Sequence, residues 1–121
     1  MRNAVSRPLL ALGLALSLLL SSAPQAQAKS RIYAGSEAEA LKCAHLFSMT
    51  ALLLWKSGKI STRAKDSGMA ASVIILDRYV GGTWEQKKKA LTAVGQRRTL
   101  LTTLEEFNAQ NKYCLRRFPI N

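Results

Sequence analysis

The chain has 121 residues, 18 Lys and Arg against 7 Asp and Glu, and a formal net charge of +11. That length holds one domain once a leader is set aside, which excludes a multidomain enzyme. No repeated catalytic or metal-ligand pattern is present, which argues against a conventional small enzyme as well.

Arg2 and Arg7 precede an apolar run over residues 9–20, and Ala26-Gln27-Ala28 has the small-x-small form that signal peptidase accepts. The run is shorter than the roughly 20 residues needed to cross a bilayer core. The expectation is a cleaved secretory signal peptide over 1–28, a mature start at Lys29 and a periplasmic or secreted location. Losing Arg2 and Arg7 still leaves a strongly basic chain, which favours acidic protein surfaces, anionic envelope polymers or membranes as partners. Export makes nucleic acid the weakest choice, and no zinc-finger spacing or Gly-rich phosphate loop revives it, so no nucleic acid partner is expected.

Residues 29–35, with Arg31, Ile32 and Tyr33, read as a flexible N-terminal arm. Ser36 followed by Glu39 has the form of a capping box, and strong helix formers run from Glu37 to about Ser57 before Gly58 offers a stop. Between Cys43 and Trp55 the only polar side chains are His45, Ser48 and Thr50. Leu46, Phe47, Met49, Leu52, Leu53, Leu54 and Trp55 therefore cover most of the helix circumference, so this helix has to be surrounded, by the rest of a bundle or by another subunit. Lys42 and Lys56 bracket a stretch too short to span a membrane.

The next helix is predicted from Ser61 or Thr62 to Val80, ahead of Gly81-Gly82. Ile60, Ala64, Ala71 and Ile75 mark one face, and Met69, Val73, Leu76 and Val80 another. Gly68 weakens a helix interior by roughly 1 kcal/mol relative to Ala. With Ser67, Ala70 and Ala71 it forms a patch of small side chains that points to a close helix crossing.

Thr83 followed by Gln86 is another capping box, opening a helical region to about Gln110. Trp84 and Leu91 lie almost opposite Leu100, Leu104 and Phe107 on one straight helix, so a break is expected at Gly95, giving segments of about 84–94 and 97–110. Beyond them, Tyr113, Leu115, Phe118 and Ile120 give the tail apolar character with which to dock, and Pro119 ends any helical continuation.

Only two cysteines are present, Cys43 and Cys114. In an oxidising compartment an even pair is most simply an intramolecular disulfide, and the pair is far from the CxxC form of a redox motif. It closes a loop of about 70 residues, for which the chain-entropy model gives roughly 4 kcal/mol. A fourth, antiparallel helix would bring Cys114 back towards Cys43. The expected fold is all-α, a small four-helix domain over 36–121 tethered by one disulfide, with a three-helix bundle and folded-back tail as the alternative.

His45, the sole histidine, reads as a packed side chain on an apolar helix. It cannot readily pair with Cys43, because positions i and i+2 point about 200° apart. The carboxylates Glu37, Glu39, Asp66, Asp77, Glu85, Glu105 and Glu106 are scattered over several elements and read as surface charges. No metal site and no cofactor is expected.

The concentrated polar signal is basic: Lys87-Lys88-Lys89, Arg97-Arg98 and Arg116-Arg117. Such charges speed encounter more readily than they specify a partner. A flexible turn at Gly81 and Gly82 could present Trp84 beside Lys87, so the candidate interface comprises Gly81, Gly82, Trp84, Lys87, Lys88, Arg97 and Arg98. The leading expectation is an exported helical protein that binds an envelope or secreted protein as an inhibitor, immunity factor or accessory chaperone. The apolar first helix would also suit a homodimer. Two alternatives stand beside it: a cationic effector or binder of anionic envelope surfaces, and a small envelope-glycan-active enzyme relying on Glu85, Glu105 or Glu106.

Overall fold

A computed structural model describes residues 30–121, so the signal-peptide reading of 1–28 lies outside the described residues. Four helices follow one another: α1 Gly35–Lys56, α2 Thr62–Tyr79, α3 Trp84–Gln96 and α4 Leu100–Arg117. No strand occurs among the described residues, and the fold is the all-α, disulfide-tethered four-helix domain that the sequence implies.

Local chemistry sets most of the boundaries. The Ser61 hydroxyl accepts the Ala64 amide at 3.1 Å and opens α2. Thr83 and Gln86 form a reciprocal capping box at α3, and the Thr99 hydroxyl accepts the Thr102 amide at α4. Each satisfies an amide that the first turn of a helix would otherwise leave unpaired. The Ser36 box does not form. α1 starts earlier, with Ala34 at the cap position, and the Ser36 and Glu39 side chains instead meet the end of α4.

The break between α3 and α4 falls later than Gly95. α3 continues to Gln96, and the Arg97 and Arg98 amides close its last turn on the Val94 and Gly95 carbonyls. Gly95 is a spacer: a Cβ there would lie 3.1 Å from Cε1 of His45 on α1. α4 then runs past the expected Gln110 to Arg117, since no helix breaker occurs before Pro119.

All three later helices pack on α1 and have next to no contact with one another. α2 returns antiparallel to α1, α3 runs parallel to it from Gly81 beside Glu37 to Gly95 beside His45, and α4 comes back antiparallel. The α1–α4 register is marked by Tyr113 on Glu39, Cys114 bonded to Cys43, Thr103 beside His45, and the Phe107 ring edge-on to Phe47 with centroids 5.4 Å apart.

The fully enclosed core draws on Ala40, Leu41, Cys43, Ala44 and Leu46 of α1, on Ile75, Leu76 and Val80, and on Cys114 and Phe118. It therefore gathers around the first half of α1. The tail docks as its apolar residues suggest: Phe118 is completely buried with the Tyr79 ring against it, and Ile120 packs on the core. Tyr79 and Arg78 also donate to the Pro119 carbonyl.

α2 crosses α1 at Gly68. A Cβ added to Gly68 would fall 2.7 Å from Cβ of Ala51, well inside van der Waals contact, and both atoms sit directly on helix backbones. Gly68→Ala gains about 1 kcal/mol of helix propensity but overpacks the crossing, which costs about 1–3 kcal/mol. The expected net result is a lower urea midpoint for Gly68→Ala. Adding Ala51→Gly should recover part of that loss, giving a favourable coupling in a double-mutant cycle; strict additivity would remove the crossing as its cause.

Candidate functional site

The seven residues of the sequence-derived interface are not brought together. Gly81 and Gly82 lie in the turn before α3, and the turn is already occupied by residues from the N-terminal side. The Gly81 amide donates to Glu37 Oε2 at 2.7 Å, and the Tyr33 hydroxyl donates to the Gly81 carbonyl at 2.7 Å. Arg31 pairs with Glu37 at 3.2 Å and lies over the Tyr33 ring. Residues 30–34 carry no helix, yet Arg31 and Tyr33 of the expected flexible arm are fastened to this turn. Trp84 remains exposed beside it.

Lys87 is not a surface cation of that patch. It is 8% exposed, because its register on α3 turns it towards the bundle while Lys88 and Lys89 face outward. Lys88 is paired with Glu85 at 3.0 Å. The 13 residues of α3 rise about 20 Å, so Arg97 and Arg98 stand at the far end from Trp84. Arg97 is exposed there. Arg98 is drawn into the α1–α4 seam, where its Nε donates to Glu106 at 2.9 Å and its Nη1 donates to the Val94 carbonyl at 3.1 Å.

Glu106 is the centre of that seam, with Lys42 of α1 on its other side at 2.8 Å. The hydrogen bond from Lys42 pulls its carboxyl below the ordinary value of 4.5; burial opposes this, and Arg98 reinforces the lysine. His45 packs nearby, buried, with Nε2 3.3 Å from the Thr103 hydroxyl oxygen. The Thr103 hydroxyl proton goes to the Thr99 carbonyl, so this oxygen accepts from His45, which assigns the imidazole proton to Nε2. Burial first, and Arg98 second, push the His45 pKa below 6.5, while Glu106 pulls the other way. Thr103 is 1% exposed, so the imidazole–hydroxyl pair is out of reach of a substrate. This cluster locks α4 on α1. Among the described residues no three His, Cys, Asp or Glu side chains gather as metal ligands.

The surface that the sequence reading overlooked is apolar. Leu100 and Leu101, in the first turn of α4, are 58% and 66% exposed. Leu100 continues the stripe of Leu104 and Phe107, whereas Leu101 lies on the outward face with Glu105 and Asn108. Above His45, α1 keeps Met49, Leu52, Leu53 and Leu54 only half-buried, and Trp55 is exposed with its indole N–H donating to Thr62. The all-round apolar character of α1 was the available signal; what it could not show was where α3 and α4 stop.

The single histidine permits a direct check. Its proton NMR titration should have a midpoint below 6.5, moving lower still in Glu106→Gln and higher in Arg98→Met. The unfolded chain takes up protons at His45 and Glu106 at higher pH than the folded one, so both groups contribute stability that is lost as the solution is acidified: for His45 as pH falls from 6.5 towards its lower folded value, for Glu106 as pH falls from 4.5 through its own. A His45 midpoint above 6.5 would contradict this environment.

Compared with known proteins, the chain matches no family model, no curated protein and no solved structure.

Proposed function

We propose that this is an exported, non-catalytic binding domain that recognises another protein, acting as an inhibitor, immunity factor or accessory chaperone. The observation that supports this reading most directly is the second half of α1. It is rich in apolar residues, with Met49, Leu52, Leu53 and Leu54 only partly buried and Trp55 exposed, and Leu100 and Leu101 at the start of α4 are exposed as well. Large apolar side chains left exposed on a small domain are the raw material of an interaction surface. The polar clusters support the same reading, because His45 and Glu106 serve to fasten helices and the cysteines are joined. The disulfide suits an oxidising compartment, and no helix among the described residues is long and apolar enough to cross a membrane.

A second reading, binding to an anionic envelope surface, is favoured by the exposed cations Lys56, Lys59 and Arg63 around the α1–α2 turn. The two readings separate by salt, which screens diffuse charge attraction far more than packed apolar contact. The chain starting at Lys29, immobilised with its disulfide intact, is expected to retain one protein in stoichiometric amount from periplasmic and secreted fractions at moderate ionic strength. Capture only of lipid or polymer, vanishing as salt is raised, would replace protein recognition with the second reading.

A further inference from the structure

We propose that His45 is an acid-released latch: its neutral imidazole holds the corner where α3 passes into α4 against α1, and taking up a proton lets that corner, residues 94–103, lift while the rest of the fold stays closed. The device is independent of what the domain binds.

The buried imidazole is clamped on two sides. On one, Nε2 lies 3.3 Å from the Thr103 hydroxyl oxygen of α4, whose own proton is committed to the Thr99 carbonyl, so Nε2 is the nitrogen that donates. On the other is the last turn of α3, close enough that a Cβ at Gly95 would lie 3.1 Å from Cε1 and 3.4 Å from Nδ1. Nδ1 therefore carries a lone pair, and no hydrogen-bonding partner among the described residues reaches it. A proton placed there is turned towards the glycine with no protein acceptor to take it, the arrangement that makes a buried charged donor costly.

Charge works in the same direction. The charged groups that act on His45 are Arg98 at the end of α3 and Glu106 on α4. Glu106 is already shared between Arg98 at 2.9 Å and Lys42 of α1 at 2.8 Å, so a protonated His45 would be a third cation on one carboxylate. A helix C-terminus attracts cations through its unpaired carbonyls, but the end of α3 has little left to offer. Its Val94 carbonyl accepts from the Arg97 amide and from Arg98 Nη1, and its Gly95 carbonyl from the Arg98 amide. α2 crosses α1 at Ala51, about 120° round the helix from His45, and contributes no charge there.

The corner can move alone because both of its helices are fixed elsewhere. α3 is held at its start, where Glu37 and Tyr33 bond to Gly81, and α4 at its end, where Cys114 is joined to Cys43. Between those points α3 has little but α1 to rest on. Lifting the corner frees His45 and uncovers Val94 at the margin of the core, while the enclosed cluster around Cys43 stays shut. Since the closed corner suits the neutral ring, opening increases as pH falls from 6.5 and levels off below the titration of the closed form.

Amide hydrogen exchange of residues 94–103 in the disulfide-intact chain, corrected for the intrinsic pH dependence of exchange, tests this from about pH 7.5 to about pH 5. The range stops above the ordinary carboxyl value of 4.5, and Glu106 titrates lower still, so it stays ionised throughout. Opening is expected to increase on acidification by about tenfold for each pH unit that separates the His45 NMR midpoint from 6.5. It should depend only weakly on urea, because a small opening exposes little surface. His45→Gln, which keeps a donor for Thr103 and takes up no proton, is expected to lose the pH dependence. Arg98→Met keeps the histidine, and it should raise the midpoint and shrink the acid-induced increase in the same proportion, so the test survives a His45→Gln chain that fails to fold.

Exchange at 94–103 that acid leaves unchanged, or an acid-induced increase that persists in His45→Gln, would overturn the latch. So would a loss of protection there that shares the steep urea dependence of the amides around Cys43, since the whole chain would then be unfolding.

Discussion

The bond between Cys43 and Cys114 joins the first half of α1 to the last turns of α4, and the enclosed part of the molecule is arranged around it. With that point fixed, Phe118 and Ile120 can only fold back over the ends of α2 and α4, and α4 has to run up α1 in the register that sets Thr103 beside His45. α3 occupies the remaining side of α1 over the same short length. The largest enclosed cluster of this basic little domain thus lies at the end where the covalent link joins α1 to α4.

Electrostatics in this protein is more local than its net charge suggests. Of the three basic runs, the first loses Lys87 to the bundle, and the second loses Arg98 to Glu106. In the third, Arg117 reaches Glu39 and Ser36 across the start of α1. Pairs at a partly solvated seam contribute little energy each. Their repetition at Glu39, Lys42 and Glu106 nonetheless fixes how far α4 slides along α1. The exposed cations that remain are spread out: Lys56, Lys59 and Arg63 around the α1–α2 turn, and Lys89, Arg97, Lys112 and Arg116 along the later helices.

The readable parts of the fold were those governed by neighbours in sequence or by covalent arithmetic. Ser61, the Thr83–Gln86 pair, the small patch at Gly68 and the even cysteine count each carry their own local or pairwise reason, and each is where it was expected. The unreadable parts turn on tertiary choice. Ser36 and Glu39 have a capping pattern, but the end of α4 competes for their side chains. Gly95 has the composition of a helix breaker, but it serves to admit His45. Lys87 sits in a run that composition assigns to solvent, and only the packing of α3 shows that the middle of the interface candidate faces inward. Leu100 shares its helix face with Leu104 and Phe107, and it is nonetheless exposed at the first turn of α4.

The off-centre core also grades the molecule in time. Opening a segment requires breaking the apolar contacts that enclose it, and these are dense around Cys43 and sparse towards Lys56. The α1–α2 turn and the turns beside it can loosen as one cooperative unit while the tethered end stays shut. Amide hydrogens around Cys43 lie in the most enclosed part of the fold, and those of the α1–α2 turn in an exposed one. A partner that covered that turn would order it, and its affinity would include the cost of that ordering.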